Sequence, residues 1–518
     1  MKPRQAFPTL LLVLVIAFQA AGRNPRMAKP LVKEEFRGIW IATVNNTDWP
    51  SKPGLPADQQ QKELIHLIDR IENTGLNAVI LQVRPAADAI YPSPTEPWSY
   101  YLTGEQGKAP TPYYDPLRFA INLCHQRGLE FHAWFNPFRV TASSYLHLAP
   151  NHPLRKNNNW IVRYNGKSYL DPGIPEVREY VINIIMDVVK RYDIDAVHLD
   201  DYFYPYPIKS LTFDDEASFK KYGGDDYPNQ LKEWRRNNVN LFISELNEKI
   251  KAEKSWVKLG VSPFGVWRNL SLDPDGSAGK CGLSSYDDLY ADARTWVKNG
   301  WVDYIIPQLY WERGNAYGDF DTLARWWNNN VDKRHLYFGQ ALYKAASSAP
   351  GWQDPNEIEK QIDIARQMNN ARGFAFFSAS HLLDLSQEQV SRLRQELKEE
   401  PAIVPKMAWL DSVPPPVPGH FRLESTINGT WLKWKLPASY NDDRVQYVIY
   451  RVKKDADGNN PVTDVFKVTE QRELFIPPSM RNKLADECFR VSTIDRLNNE
   501  SALSPLIQIN GTEFKLMQ

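Results

Sequence analysis

Between Phe36 and Lys398 one unit repeats eight times: a short apolar run, then a stretch whose apolar residues recur at helical spacing. The runs cover residues 36–44, 78–83, 130–135, 196–200, 258–261, 303–310, 336–342 and 373–377. The helical stretches cover about residues 59–73, 115–127, 174–192, 230–253, 286–298, 320–330, 355–370 and 386–398. Nearly continuous apolar runs are what strands need when both faces of a sheet are covered. Alternation of strand and helix gives a parallel sheet, and eight units give closure into an α/β (β/α)8 TIM barrel over residues 36–399. An open doubly wound sheet is the competing arrangement. It calls for a Gly-rich nucleotide loop after the first strand, and Asn45-Asn46-Thr47-Asp48-Trp49-Pro50 stands there instead.

The flanks read differently. Lys2 and Arg4 precede an apolar segment at residues 10–17 and the small residues Ala20-Ala21-Gly22, the pattern of a secretory signal over residues 1–22. A short uncleaved anchor is the alternative. Residues 23–35 are polar and basic and read as a linker. Residues 400–418 carry Pro401, Pro405, Pro414, Pro415, Pro416 and Pro418 and read as a second linker. Short alternating runs follow at residues 430–436, 446–452, 465–468 and 487–495, with turns at Asp457-Gly458 and Leu497-Asn498-Asn499. This predicts a small all-β sandwich over residues 419–511 and a tail at 512–518. Trp434, Tyr447, Tyr450 and Cys488-Phe489-Arg490-Val491 resemble a fibronectin type III module. The three cysteines, Cys124, Cys281 and Cys488, cannot all pair, so no disulfide framework is expected. Basic and acidic residues balance at 62 each, which gives no electrostatic footprint for nucleic acid.

In such a barrel the active site lies at the C-terminal strand ends. Side chains alternate along a strand, so one parity collects the candidates. Strand two offers Gln82 and Arg84; strand three His132, Trp134 and Asn136; strand four His198 and Asp200, then Asp201 and Tyr202. Strand five offers Ser262, strand six Gln308 and Tyr310 followed by Trp311, and strand seven Gln340 with Tyr343 beyond it. Two carboxyl groups around a scissile bond are the usual equipment for glycoside hydrolysis. Asp200 points inward by parity, and Asp201 joins it only if the backbone turns there. Either one can be the acid. No Glu stands in barrel parity at strands five to seven apart from Glu312. A route assisted by a substrate's 2-acetamido group therefore stays open, with Tyr310 as a holder of that group. Glu96 is either a second carboxyl or a solvated loop residue. Arg84 either pairs with Asp200 or reads a substrate carboxylate such as the lactyl group of muramic acid. Trp134, Tyr202 and Trp311 stack on sugar rings or pack the barrel top. His132 and His198 read as hydrogen-bonded core residues; no spacing marks a metal site, and no cofactor is expected.

Several stretches are long enough to be recognisable: Phe36-Arg37-Gly38-Ile39-Trp40, Asp48-Trp49-Pro50, His132-Ala133-Trp134-Phe135-Asn136-Pro137, Leu170-Asp171-Pro172-Gly173, Asp200-Asp201-Tyr202-Phe203-Tyr204, Val261-Ser262-Pro263 through Val266-Trp267-Arg268, and Pro307-Gln308-Leu309-Tyr310-Trp311. Over about residues 35–398 they resemble the glycosyl-hydrolase-like family ten. Members similar to this chain include a division-site glycosidase of bacterial envelopes that cleaves peptidoglycan strands stripped of stem peptides. The resemblance implies a barrel glycosidase acting on a glycan polymer with 2-acetamido sugars, and the N-terminal signal pattern implies secretion to the periplasm or cell envelope. The sandwich is expected to bind a polymer, or a cell-wall or cell-division protein. Hydrolysis of a dietary or host polysaccharide, and non-catalytic glycan binding, are the alternatives.

Overall fold

The computed structural model describes residues 34–142, 148–331, 333–345, 347, 349–399, 401–440, 444–454, 461–479, 488–510 and 513–517. The expected signal segment, most of the first linker and the Asp457-Gly458 turn lie outside the described residues.

Eight parallel strands close into a barrel: β1 (Phe36–Ile41), β2 (Ala78–Arg84), β3 (Glu130–Phe135), β4 (Ala196–Leu199), β5 (Lys258–Val261), β6 (Tyr304–Ile305), β7 (His335–Gln340) and β8 (Ala371–Phe376). A helix follows each, from Ala57–Thr74 after β1 to Gln387–Leu397 after β8. The helix after β5 is shorter than its periodicity predicts, Ala293–Lys298, because Asp292 caps it by accepting from the Thr295 N–H. β6 is shorter still. Pro307 has no N–H for the ladder, so beyond it pairing continues only as single bridges from Gln308 to Phe264 and Gly339.

Strand parity divides two cores. Ile39, Leu81, Phe135, Leu199 and Phe338 face the helices. Phe36, Trp40, Ile80, Trp134, Tyr304 and Tyr337 fill the barrel. Gln340 pairs in register with Phe376 and shares the outward parity of Phe338, so it does not reach the mouth as parity counting predicts. Gly260 is required by a close approach: a Cβ there would stand 1.9 Å from the Tyr304 ring, which crosses the barrel interior over it.

The second domain is a three-stranded sheet facing a five-stranded one. The first sheet comprises β9 (Gly419–Thr426), β10 (Gly429–Lys435) and β13 (Glu473–Ile476). The second comprises β11 (Gln446–Lys454), β12 (Pro461–Thr469), β14 (Cys488–Ile494), β15 (Leu506–Asn510) and β16 (Glu513–Met517). The expected tail is thus largely strand, with β16 paired antiparallel to β15. Nor is the Pro-rich stretch a free linker. Ile403 bridges to Glu34, and Val404 and Met407 are buried in the barrel's interior cluster, where they close its floor. Glu35, read as linker, is buried and paired with Arg37 and Arg366. The sandwich docks on that floor. Arg444 pairs with Asp195, and Asn498 Nδ2 donates to Glu130 Oε1 at 2.8 Å. Asp195 directly precedes β4 and Glu130 opens β3, so both mark the N-terminal end of the barrel. Among the described residues no helix is long and apolar enough to cross a membrane.

Candidate active site

At the other end of the strands lies a cavity of about 320 Å³ lined by Trp40, Gln82, Trp134, Arg139, Asp200, Asp201, Tyr202, Ser262, Gln308, Tyr310 and Phe377, with Ala42, Val44 and Thr47 beside them. The backbone of β4 leaves the ladder after Leu199, whose carbonyl accepts the Ser262 N–H at 2.8 Å. The turn that follows lets two consecutive aspartates reach one cavity. Both are nearly inaccessible, Asp200 at 4% and Asp201 at 1%.

The two carboxyls are held differently. Asp200 Oδ2 accepts from Trp134 Nε1 at 3.2 Å and from the Asn136 amide, and its Oδ1 from the Tyr202 N–H at 3.3 Å. Asn136 is fixed in turn. Its Oδ1 accepts from Gln82 and, at 2.7 Å, from Arg139. Gln82 Oε1 accepts the N–H groups of Thr43 and Val44 at 2.9 and 2.8 Å. Every amide in this relay has one permitted orientation, with the N–H end of its dipole directed along the chain toward Asp200. Asp201 Oδ2 accepts from the Tyr206 hydroxyl, and Gln308 also donates to this carboxyl.

Burial, then the adjacent Asp201 charge, pushes the Asp200 carboxyl up to about 7. Burial also raises Asp201, against the hydrogen bonds from Tyr206 and Gln308. Two like charges this close do not both ionise readily, so the pair retains one proton up to neutral pH. Such a pair can donate a proton to a leaving oxygen from one member and hold a polar substrate group with the other.

Below the cavity the barrel axis is a hydrogen-bonded column. Trp40 Nε1 donates to His198 Nε2 at 3.2 Å, and Ser262 Oγ lies 3.0 Å from the same nitrogen. His198 Nδ1 lies 3.1 Å from the Tyr304 hydroxyl, which is 2.8 Å from His132 Nδ1. His132 Nε2 meets Glu130 at 3.0 Å, and Lys258 also pairs with Glu130. Burial holds His198 far below the usual imidazole range, so it is neutral and acts as an acceptor for Trp40.

The sequence-predicted residues therefore fall into three groups. Asp200, Asp201, Gln82, Trp134, Tyr202, Ser262, Gln308 and Tyr310 line the cavity. Asn136 and His198 stand behind it and hold lining residues. Arg84 and Trp311 do not line it. The register slips between Gln82 and Arg84, which places Arg84 opposite the outward-facing Phe135 rather than in the Gln82 parity. There Arg84 forms a bidentate pair with Glu96 at 2.7 and 2.6 Å. Glu96 is thus a buried partner, also bonded by Tyr180, rather than a solvated loop residue or a second catalytic carboxyl. Trp311 packs edge-on against Phe264 beside the mouth, with ring centroids 5.7 Å apart. Trp40, Arg139 and Phe377 complete the wall without having been singled out. Trp40 has the inward parity of β1 and was findable; Arg139 lies in a loop, where parity says nothing.

A family model described as Glycosyl hydrolase-like 10 matches residues 35–356. Glycosyl hydrolase YngK of Bacillus subtilis is 44% identical over 494 residues, covering 93% of this chain and 94% of the relative. Glycosyl hydrolase DigH of Escherichia coli is 38% identical over 387 residues, 70% of this chain and 87% of the relative. Among solved structures, the glycoside hydrolase domain of PgaB from Bordetella bronchiseptica is 15% identical with a TM-score of 0.47, covering 70% of this chain and 99% of that one. The matched span includes every cavity-lining residue but Phe377, and the chain belongs to the glycosyl hydrolase-like 10 family, as a glycoside hydrolase.

Proposed function

We propose that this enzyme hydrolyses the glycan strands of the bacterial cell wall at 2-acetamido sugars, using the acetamido group as internal nucleophile. The observation that carries this reading is the adjacency of Asp200 and Asp201. Among the described residues they are the only carboxyls lining the cavity, and they come from one strand end rather than from opposite walls. The usual mechanisms need carboxyls on two sides of the scissile bond. A neighbouring pair fits the assisted route. One member accepts the acetamido N–H, so that the amide oxygen closes on the anomeric carbon. The other gives its proton to the departing glycosidic oxygen. Water then opens the bicyclic intermediate and returns a proton to the second member, with retention of configuration. Trp40, Trp134, Tyr202 and Tyr310 supply flat apolar faces for pyranose rings.

The wall strands, peptide-free, are the substrate that the family resemblance and the acetamido chemistry support together. The basic and apolar N-terminal segment supports export to the periplasm or envelope. A fibronectin type III-like sandwich recognising a wall polymer or a division protein belongs to the same reading. The test is mass analysis of products from denuded peptidoglycan strands, with starch and xylan as controls. Parent enzyme is expected to shorten the denuded strands alone, and Asp200→Asn and Asp201→Asn to lose activity by roughly 100-fold or more each. Full activity in both variants would defeat the assignment. Substrates with an activated leaving group separate the roles, because only the variant lacking the acid regains rate on them.

A further inference from the structure

We propose that Arg139 is a specificity-determining residue that binds a carboxylate on the sugar under attack, so that the site selects muramic acid with its lactyl group free. This rests on the cell-wall reading above. Arg139 is the only cationic residue lining the cavity among the described residues. Its Nε donates to the Pro85 carbonyl at 2.8 Å and its Nη2 to Asn136 Oδ1 at 2.7 Å. Among the described residues these are its only hydrogen bonds, which leaves Nη1 open; its charge acts on the Asp200 and Asp201 carboxyls without a direct ion pair. The Tyr202 ring centroid lies 5.5 Å from the guanidinium carbon, a cation–π contact between two residues of the cavity wall. Arg139 is half-buried, and the open edge of its planar fork matches a carboxylate. Arg84, the other arginine at these strand ends, is already matched to Glu96. Arg139 has no direct carboxylate partner, and its open Nη1 is available to a substrate anion.

The position of the guanidinium determines which sugar it meets. A single amide, that of Asn136, connects it to Asp200, so cation and acid pair face one pyranose ring. Muramic acid carries its acetamido group on C2 and its lactyl ether on the neighbouring C3. With the acetamido group against the aspartates, the lactyl carboxylate falls toward Arg139. A stem peptide converts that carboxylate to a neutral, bulky amide and removes the match. The enzyme then prefers stripped strands for an electrostatic reason, and each cut leaves muramic acid at the new reducing end.

The test is a cycle between enzyme and substrate. Denuded strands are used as they are or after coupling their lactyl carboxyls to methylamine, and each is offered to parent enzyme and to Arg139→Gln. Amidation is expected to lower the parental kcat/KM by roughly 30-fold, and Arg139→Gln to lower it similarly on the free carboxylate. In the variant, amidation should then cost less than about threefold, since the pair is already broken. Borohydride-tagged new ends should be muramic acid. The inference is overturned if parent enzyme is indifferent to amidation, if the variant loses equally on both substrates, or if the new ends are glucosamine. The comparison with parent enzyme alone decides the matter if the variant fails to fold. Parent enzyme that cuts neither strand sinks the cell-wall reading itself, a different result from cutting both alike.

Discussion

Asp200 and Asp201 are one bond apart in sequence and in different environments. Asp200 continues the strand's inward parity, so its role was legible from alternation alone. Asp201 required a backbone turn that no residue pattern announces, and Arg139 stands beyond Pro137, where no period applies. The raised carboxyl of Asp200 has two consequences. A carboxyl that titrates at about 7 in the folded chain and at its ordinary 3.8 when unfolded makes the native state bind the extra proton between those values. Stability is therefore expected to fall as pH rises from about 4 to about 7, then level off. Asp200→Asn should raise stability at pH 8 by up to ~4 kcal/mol, with the gain vanishing below about pH 4. Urea unfolding at both pH values checks this, and equal gains at both would refute it. The parental kcat/KM should also decline above about pH 7, as the pair's remaining proton is lost.

At the scale of elements, the eight strand-and-helix units were legible because both faces of each strand are buried and the runs are therefore apolar. The misreadings arose where one backbone feature interrupts a period. The slip between Gln82 and Arg84 turns an arginine from the mouth to the outer core, and Pro307 ends β6 early. In the sandwich, β9 was missed because its residues are half-exposed on both sides and show no clean alternation. The Arg84–Glu96 pair lends itself to a prediction. Both side chains are fully buried, so removing one partner leaves a charge without water or counterion. Arg84→Met should destabilise the barrel by about 3–5 kcal/mol, and adding Glu96→Gln should recover part of that loss. Thermal unfolding of the single and double variants measures it; a double variant no better than the single would show that the pair's charge is not the cause.

At the scale of the molecule, proline content alone gave the wrong picture of residues 401–410. Composition marks where a chain cannot be helical, but not whether it is packed, and Val404 and Met407 are part of the barrel's core. The sandwich adds Arg444 and Asn498 to carboxylates at the floor. Burial would raise Asp195, yet Arg444 and His125 outweigh it and hold the group well below its ordinary range. The two domains are expected to unfold in one calorimetric transition. Arg444→Ala should lower stability by about 3 kcal/mol, and separate barrel and sandwich transitions in the parent chain would contradict this coupling. Because the sandwich occupies the end of the barrel away from the cavity, a polymer gripped by it would have to loop back to be cut.

The order of two residues at the mouth bears on how long the molecule lasts. Most asparagines age when the nitrogen of the following residue attacks their side-chain carbonyl and ammonia departs. Asn136, whose amide holds Asp200, precedes Pro137, and a proline nitrogen has no hydrogen to give up. The residue whose conversion to aspartate would set a further negative charge against the pair is thus shielded from that chemical clock.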